Sequence, residues 1–202
     1  MPTITFWFDF GSTYAYLSAM RIAELAAGAA VPVIWRPFLL GPIFADQGWQ
    51  TSPFNIYPAK GRYMWRDMER LCQARGLEFV RPDPFPQHGL RAARVAQLAL
   101  KTDRGAAFCR EVFQAQFARG ADISQTETLR DCLDRCALPA ELLDRSGAPP
   151  NKAALRASTD AARCAGLFGA PSFTVDGELF WGDDRLEDAL AWANAPHSSE
   201  GS

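Results

Sequence analysis

The chain has 202 residues, 48% hydrophobic and 22% charged, with 21 Lys and Arg against 23 Asp and Glu and a formal net charge of −2. That composition excludes an intrinsically disordered chain, which has fewer apolar residues and a larger net charge. It gives no support for a nucleic-acid partner, because phosphate binding requires a surplus of Lys and Arg.

A chain this long buries about 70% of its unfolded surface, enough for one domain or one domain with a large insertion. Six Trp and fourteen Phe leave two readings open: an aromatic-lined pocket, or a bulky core. Five cysteines without C-x-x-C spacing, and only His88 and His197, argue against a metal site. The N-terminus lacks a basic region, and no apolar run approaches about 18 residues. The expectation is a soluble, cytoplasmic protein with free thiols.

Thr3 to Asp9 reads as a buried strand, with Ile4, Phe6 and Phe8 alternating. Gly11-Ser12 marks a turn and helix start, followed by Tyr16, Leu17, Met20, Ile22 and Ala23 at helical spacing, up to Gly28. Val31 to Trp35 is a second strand, and a right-handed crossover predicts a parallel pair. Pro37 to Pro58, with four prolines, reads as a long ordered loop. Ala59 to Arg75 is helical and stops at Gly76. Arg81-Pro-Asp-Pro-Phe-Pro is a rigid connection.

Helix dominates from His88 onward. Ala92, Val95, Ala96 and Ala99 form one stripe, and Cys109, Val112, Phe113 and Phe117 another. Ser124-x-x-Glu127 reads as a capping box ahead of Leu129, Cys132, Leu133 and Cys136. Pro149 to Cys164 is a further helix. Ser172 to Val175 and Glu178 to Trp181 form a hairpin around Asp176-Gly177. Asp184 to Asn194 is the last helix, with a frayed tail after it.

The order is therefore β-α-β, a helical block, then α-β-β-α: an α/β, thioredoxin-like plan with helices inserted between its halves. Phe8-Asp9-Phe10-Gly11-Ser12-Thr13-Tyr14-Ala15-Tyr16 resembles the opening of 2-hydroxychromene-2-carboxylate isomerases, DsbA-like enzymes close to kappa-class glutathione transferases. Four more segments resemble that family in order: Pro37-Phe38 with Gly41-Pro42-Ile43-Phe44; Asn55 with Lys60 and Tyr63; Gly169-Ala170-Pro171-Ser172-Phe173; and Phe180-Trp181-Gly182-Asp183-Asp184-Arg185-Leu186. The resemblance implies a thioredoxin-like domain over residues 1–40 and 165–196, an inserted loop and helical domain over 41–164, and a disordered tail over 197–202.

It also implies a cofactor. Ser12 stands where a thioredoxin-like oxidoreductase has its first cysteine, and Ala15 where it has the second. Disulfide exchange needs an attacking thiolate and a resolving thiol, and neither is present. The resemblance supplies glutathione, with the Ser12 hydroxyl on its sulfur at a helix N-terminus. The alternative for Ser12 is a plain N-cap. Ala170-Pro171 matches the cis-proline position, where backbone Ala170 would pair with the cysteinyl part of glutathione. Trp181, Asp183 and Asp184 complete the expected glutathione site, with Asp184 on the γ-glutamyl ammonium; the alternative for the aspartates is capping and dipole compensation.

Phe44, Asn55, Ile56, Lys60 and His88 are expected to meet the organic substrate. Lys60 would take a carboxylate, or else be a solvated surface lysine; the alternative for Asn55 is a turn residue, and for His88 a capping or surface histidine. Phe38, Phe44, Trp49, Phe54, Tyr57, Trp65, Phe85 and Phe168 are divided between pocket wall and core in a way the sequence leaves open. By resemblance the activity is glutathione-dependent isomerisation of 2-hydroxychromene-2-carboxylate to trans-o-hydroxybenzylidenepyruvate, a step of naphthalene-type breakdown, by a homodimer. The rivals are a kappa-like glutathione transferase or peroxidase and a non-catalytic thioredoxin-like binding module.

Overall fold

The structure, a computed structural model, describes residues 2–195. The tail expected over 197–202 lies outside the described residues. The chain opens with strand β1 (Ile4–Phe8), helix α1 (Thr13–Gly28) and strand β2 (Val33–Pro37). Eight helices follow: α2 (Leu40–Asp46), α3 (Pro53–Ile56), α4 (Pro58–Ala74), α5 (Leu90–Ala99), α6 (Gly105–Phe117), α7 (Thr126–Arg135), α8 (Glu141–Ser146) and α9 (Pro149–Cys164). Strands β3 (Ser172–Val175) and β4 (Glu178–Trp181) come next, then a 3₁₀ turn (Asp183–Arg185) that runs into α10 (Leu186–Asn194).

The sheet has the order β2-β1-β3-β4. β1 and β2 pair in parallel, as the crossover predicts, and Phe6 lies opposite Trp35. β3 is antiparallel to β1, with Phe6 opposite Phe173. The β3–β4 turn has positive φ at both Asp176 (48°) and Gly177 (87°), the conformation that Asp-Gly favours in a two-residue hairpin. The expected α/β, thioredoxin-like plan is the one observed.

Five local expectations need correction. The stretch after Pro37, expected as a long ordered loop, carries α2 and α3. Proline in a first helical turn loses no bond, since those N–H groups have no partner inside the helix. Ser52 caps α3 by accepting from the N–H of Phe54 at 3.3 Å. Second, β2 sits two residues further along than expected. Third, the capping box does not form: the Asp122 side chain accepts from the Ser124 N–H at 2.9 Å and from Gln125 Nε2 at 2.8 Å, and α7 begins only at Thr126. Fourth, α8 was not anticipated. Fifth, the last helix is preceded by the 3₁₀ turn, and neither Asp183 nor Asp184 makes a side-chain cap bond.

A large apolar core joins the sheet to the helices, and a smaller one of Trp7, Phe38, Ile43, Ala162 and Leu167 packs β1 against α9. Phe6, Phe8, Phe10, Phe113 and Phe117 are buried and form a chain of ring contacts at 4.9–6.5 Å. Each such side chain contributes roughly 1.5–3 kcal/mol by burial. Among the described residues no helix is long and apolar enough to cross a membrane.

Candidate active site

A single large cleft opens where the loop before α1, the α2–α4 segment, residues 85–90 and the ends of the β3–β4 hairpin meet. Its volume is about 1520 Å³. That exceeds the roughly 300–1,000 Å³ of a site for one drug-sized ligand, so two ligands can lie side by side.

Ser12 sits at the floor, as the N-cap of α1. Its Oγ accepts from the Ala15 N–H at 3.2 Å and donates to the Ala170 carbonyl at 2.7 Å. The cap reading is therefore correct, and it leaves one hydroxyl proton, held at the cleft by a backbone carbonyl. The N-terminus of α1, 16 residues long with no acidic residue in its first turn, favours a bound anion at this point.

Asp9, which the sequence reading passed over, organises this floor. One carboxylate oxygen accepts from the Gly11 N–H at 2.7 Å, and the other from the Leu40 N–H at 2.8 Å. It thereby ties the Ser12 turn to the start of α2. Desolvation pushes its carboxyl above the ordinary range, while the two backbone donors pull it down. The sequence signal was available: Asp-Phe-Gly is an Asx turn just before a helix cap.

The Ala170-Pro171 peptide is cis, and the Ala170 carbonyl accepts from Ser12 Oγ. Beside it Trp181 is half exposed and rests on Phe168, with ring centroids 4.9 Å apart. Gly169 is required there, because a Cβ would stand 2.3 Å from the Trp181 Nε1. Gly182 is required as well: its φ is +109°, and a Cβ would meet Asp184 Oδ1 at 2.5 Å.

The two aspartates part company. Asp183 is buried and takes Ser18 Oγ at 2.9 Å, Arg21 Nε at 3.2 Å and Arg75 Nη2 at 2.7 Å. Arg21 also bonds its backbone carbonyl and pairs with Glu187. The Asp183 carboxylate is thus satisfied within the protein, while the residue itself lines the cleft beside Asp184. Asp184 has a side chain 74% exposed, lines the cleft and stands 3.5 Å from Arg185.

On the opposite wall Phe44, Lys60 and His88 line the cleft as expected. Lys60 makes no ion pair among the described residues and lies over the Tyr57 ring, 5.0 Å from its centre. Asn55 and Ile56 do not belong to the wall. The Asn55 amide donates to Thr51 Oγ1 at 3.2 Å and to the Phe85 carbonyl at 3.4 Å, so it braces α3, the turn role the sequence left open. Ile56 is exposed outside the cleft. The aromatics also divide. Phe44, Trp49, Phe54, Phe85 and Phe168 face the cleft, Phe38 and Trp65 are core, and Tyr57 is exposed elsewhere. Tyr14 and Tyr63 also line the cleft; both stand in the family-like segments of the sequence, which gave neither a role in the site.

None of the five cysteines lines the cleft. Burial raises the Cys72 thiol to about 11 and the Cys132 thiol to about 12, and raises Cys109 and Cys136 as well. Any thiolate chemistry at Ser12 must use a sulfur that arrives with a ligand.

Comparison with known proteins agrees with this geometry. The DsbA-like thioredoxin domain matches residues 3–191. The 2-hydroxychromene-2-carboxylate isomerase of Sphingobium xenophagum is 28% identical over 187 residues, 92% of this chain and 94% of that protein. Human glutathione S-transferase kappa 1 is 24% identical over 200 residues, 92% of this chain and 88% of that protein. A solved structure of 2-hydroxychromene-2-carboxylate isomerase superimposes with a TM-score of 0.83 at 22% identity, covering 94% of this chain and 95% of that one. The matched span takes in β1 through most of α10 and every wall of the cleft, and the chain belongs to the DsbA-like thioredoxin domain family.

Proposed function

We propose that this protein is a glutathione-dependent cis–trans isomerase that interconverts 2-hydroxychromene-2-carboxylate and trans-o-hydroxybenzylidenepyruvate. The observation that carries the reading is the Ser12 hydroxyl at a helix N-terminus, in a cleft with no thiol of its own. The names of the isomerase and transferase relatives support it.

The residues present fit glutathione: an edge carbonyl at Ala170, a hydroxyl donor at Ser12, and the exposed carboxylate of Asp184 for an ammonium group. Glutathione, when bound, would supply a thiolate that adds to the conjugated carbon of the acid once its hemiketal ring C–O bond has opened, and that leaves again after rotation about the former double bond. Ser12 holds that anionic sulfur by turning its proton away from Ala170. The N-terminus of α1 adds favourable potential. Lys60 takes the carboxylate of the organic acid. Phe44, Trp49 and Phe54 hold its ring and exclude water from the reacting carbon. No residue of the chain is consumed, so the protein ends the cycle as it began.

Mixing enzyme and 2-hydroxychromene-2-carboxylate with and without glutathione, while following absorbance and free thiol, tests the reading. Equilibration that requires glutathione and leaves the thiol count constant is expected. Progressive thiol loss would instead favour the transferase reading suggested by the kappa relative. Glutathione binding with no reaction on this acid would overturn the substrate and leave the thiol site standing.

A further inference from the structure

Among the described residues six buried side-chain polar atoms lack a hydrogen-bond partner: Thr13 Oγ1, Arg75 Nη1, Gln87 Nε2, Arg94 Nε and both amide atoms of Gln116. Three of these five residues, Thr13, Arg75 and Gln87, line the cleft. Buried polar groups are normally paired, so their concentration on one cleft points to a polar ligand that completes them. Thr13 has a freely turning hydroxyl, and Arg75 spends its other arm on Asp183. Gln87 is different, because its orientation is fixed.

Gln87 is only 4% exposed. Its Oε1 accepts from the buried N–H of Ile123 at 3.0 Å. An N–H can be met only by the carbonyl end of the amide, so the other end is Nε2, a donor with two hydrogens. The segment that carries it abuts the Ser12 turn. A Cβ on Gly89 would stand 3.3 Å from Phe10 Cβ and 4.0 Å from the Gly11 nitrogen. Gln87 lines the same cleft as Ser12, Ala170 and Asp184, so a fixed donor without a partner belongs to the wall formed by residues 85–90.

We propose that Gln87 Nε2 donates to a carbonyl or carboxylate oxygen of the organic acid and so fixes that acid beside Ser12; this rests on the isomerase reading. Gln87 is then a specificity-determining residue, and the chain selects an oxygen-bearing electrophile over an unsubstituted aromatic one. A site built to hydrogen-bond such an oxygen discriminates strongly against an analogue that lacks it.

Gln87→Glu is the informative variant. It keeps the acceptor for Ile123 and loses the donor while ionised, and it regains a donor when the buried acid takes a proton. Gln87→Met loses both. We expect kcat/KM of Gln87→Glu to fall about 10–100-fold at mildly alkaline pH, with glutathione affinity unchanged. The deficit relative to wild type should shrink as pH falls, whereas Gln87→Met should keep its deficit at every pH. Calorimetric affinity for trans-o-hydroxybenzylidenepyruvate should follow the same pattern, and it reads the donor even where turnover fails. Wild-type binding of this acid without turnover would therefore sink the isomerase reading alone. The donor proposal is overturned if Gln87→Glu matches wild type throughout. It is overturned equally by a pH-independent loss equal to that of Gln87→Met, or by a loss of glutathione affinity instead.

Discussion

Ser12 has one proton and two oxygen-directed duties. Its lone pair caps α1 through Ala15, and its proton lies on the Ala170 carbonyl. Holding a sulfur anion asks for the proton and not for the cap, so the two roles do not compete. Asp9 keeps this arrangement in place by joining the Gly11 and Leu40 amides. Asp9→Ala should cost about 1–3 kcal/mol, the loss of the two backbone hydrogen bonds that its side chain accepts. Its folded pKa lies above the ordinary value, so the folded state binds the proton more tightly than the unfolded state. The stability that Asp9 contributes is complete below the unfolded pKa and declines as pH rises through the folded one. The variant's penalty, measured by denaturant unfolding, should be largest at acid pH and shrink toward neutrality. A penalty that grows with pH would contradict the assignment. At this scale Ser12, Ala170, Pro171 and Asp184, singled out from the sequence at turns and helix starts, all line the cleft. Asn55 and Ile56 lie outside the cleft wall, and Gln87 did not stand out because its fixed orientation depends on an Ile123 amide 36 residues away.

At the scale of elements, one buried carboxylate joins three helices. Asp183 at the head of α10 is held by Ser18 and Arg21 from α1 and by Arg75 at the end of α4. The cleft wall at Gly182 to Arg185 depends on that clamp. Asp183→Ala leaves two guanidinium groups without their shared partner and should destabilise the protein by about 3–5 kcal/mol. Thermal unfolding with calorimetry checks this, and a loss under about 1 kcal/mol would mean that solvent replaces the clamp. Elements written in local chemistry were legible: the alternation of Ile4, Phe6 and Phe8, and the Asp176-Gly177 hairpin turn. The helices between Pro37 and Pro58 were not, because seven- and four-residue helices have too few turns to display a period. The Ser124 cap failed because Asp122 offered the same backbone a nearer acceptor.

Across the whole molecule, two apolar clusters fasten the sheet to the helices, and the cleft is lined from both. The sheet side carries the carbonyl at Ala170 and the helix start at Asp184. The helical side carries Lys60, Gln87 and most of the aromatic wall. The sequence conveyed this division through the order of its segments, and it could not convey the depth of the cleft, which arises only when residues 85–90 close against Gly11. The central claim is that the cleft accepts an external thiol and that Ser12 holds it as the anion. The most direct test is a pH titration of bound glutathione by thiolate ultraviolet absorbance, in wild type and in Ser12→Ala. The account predicts a thiol pKa below that of free glutathione in wild type, rising by about 1–2 units in Ser12→Ala as one bond to the charged sulfur is lost. Equal pKa values in the two proteins, or no binding by wild type, would contradict it.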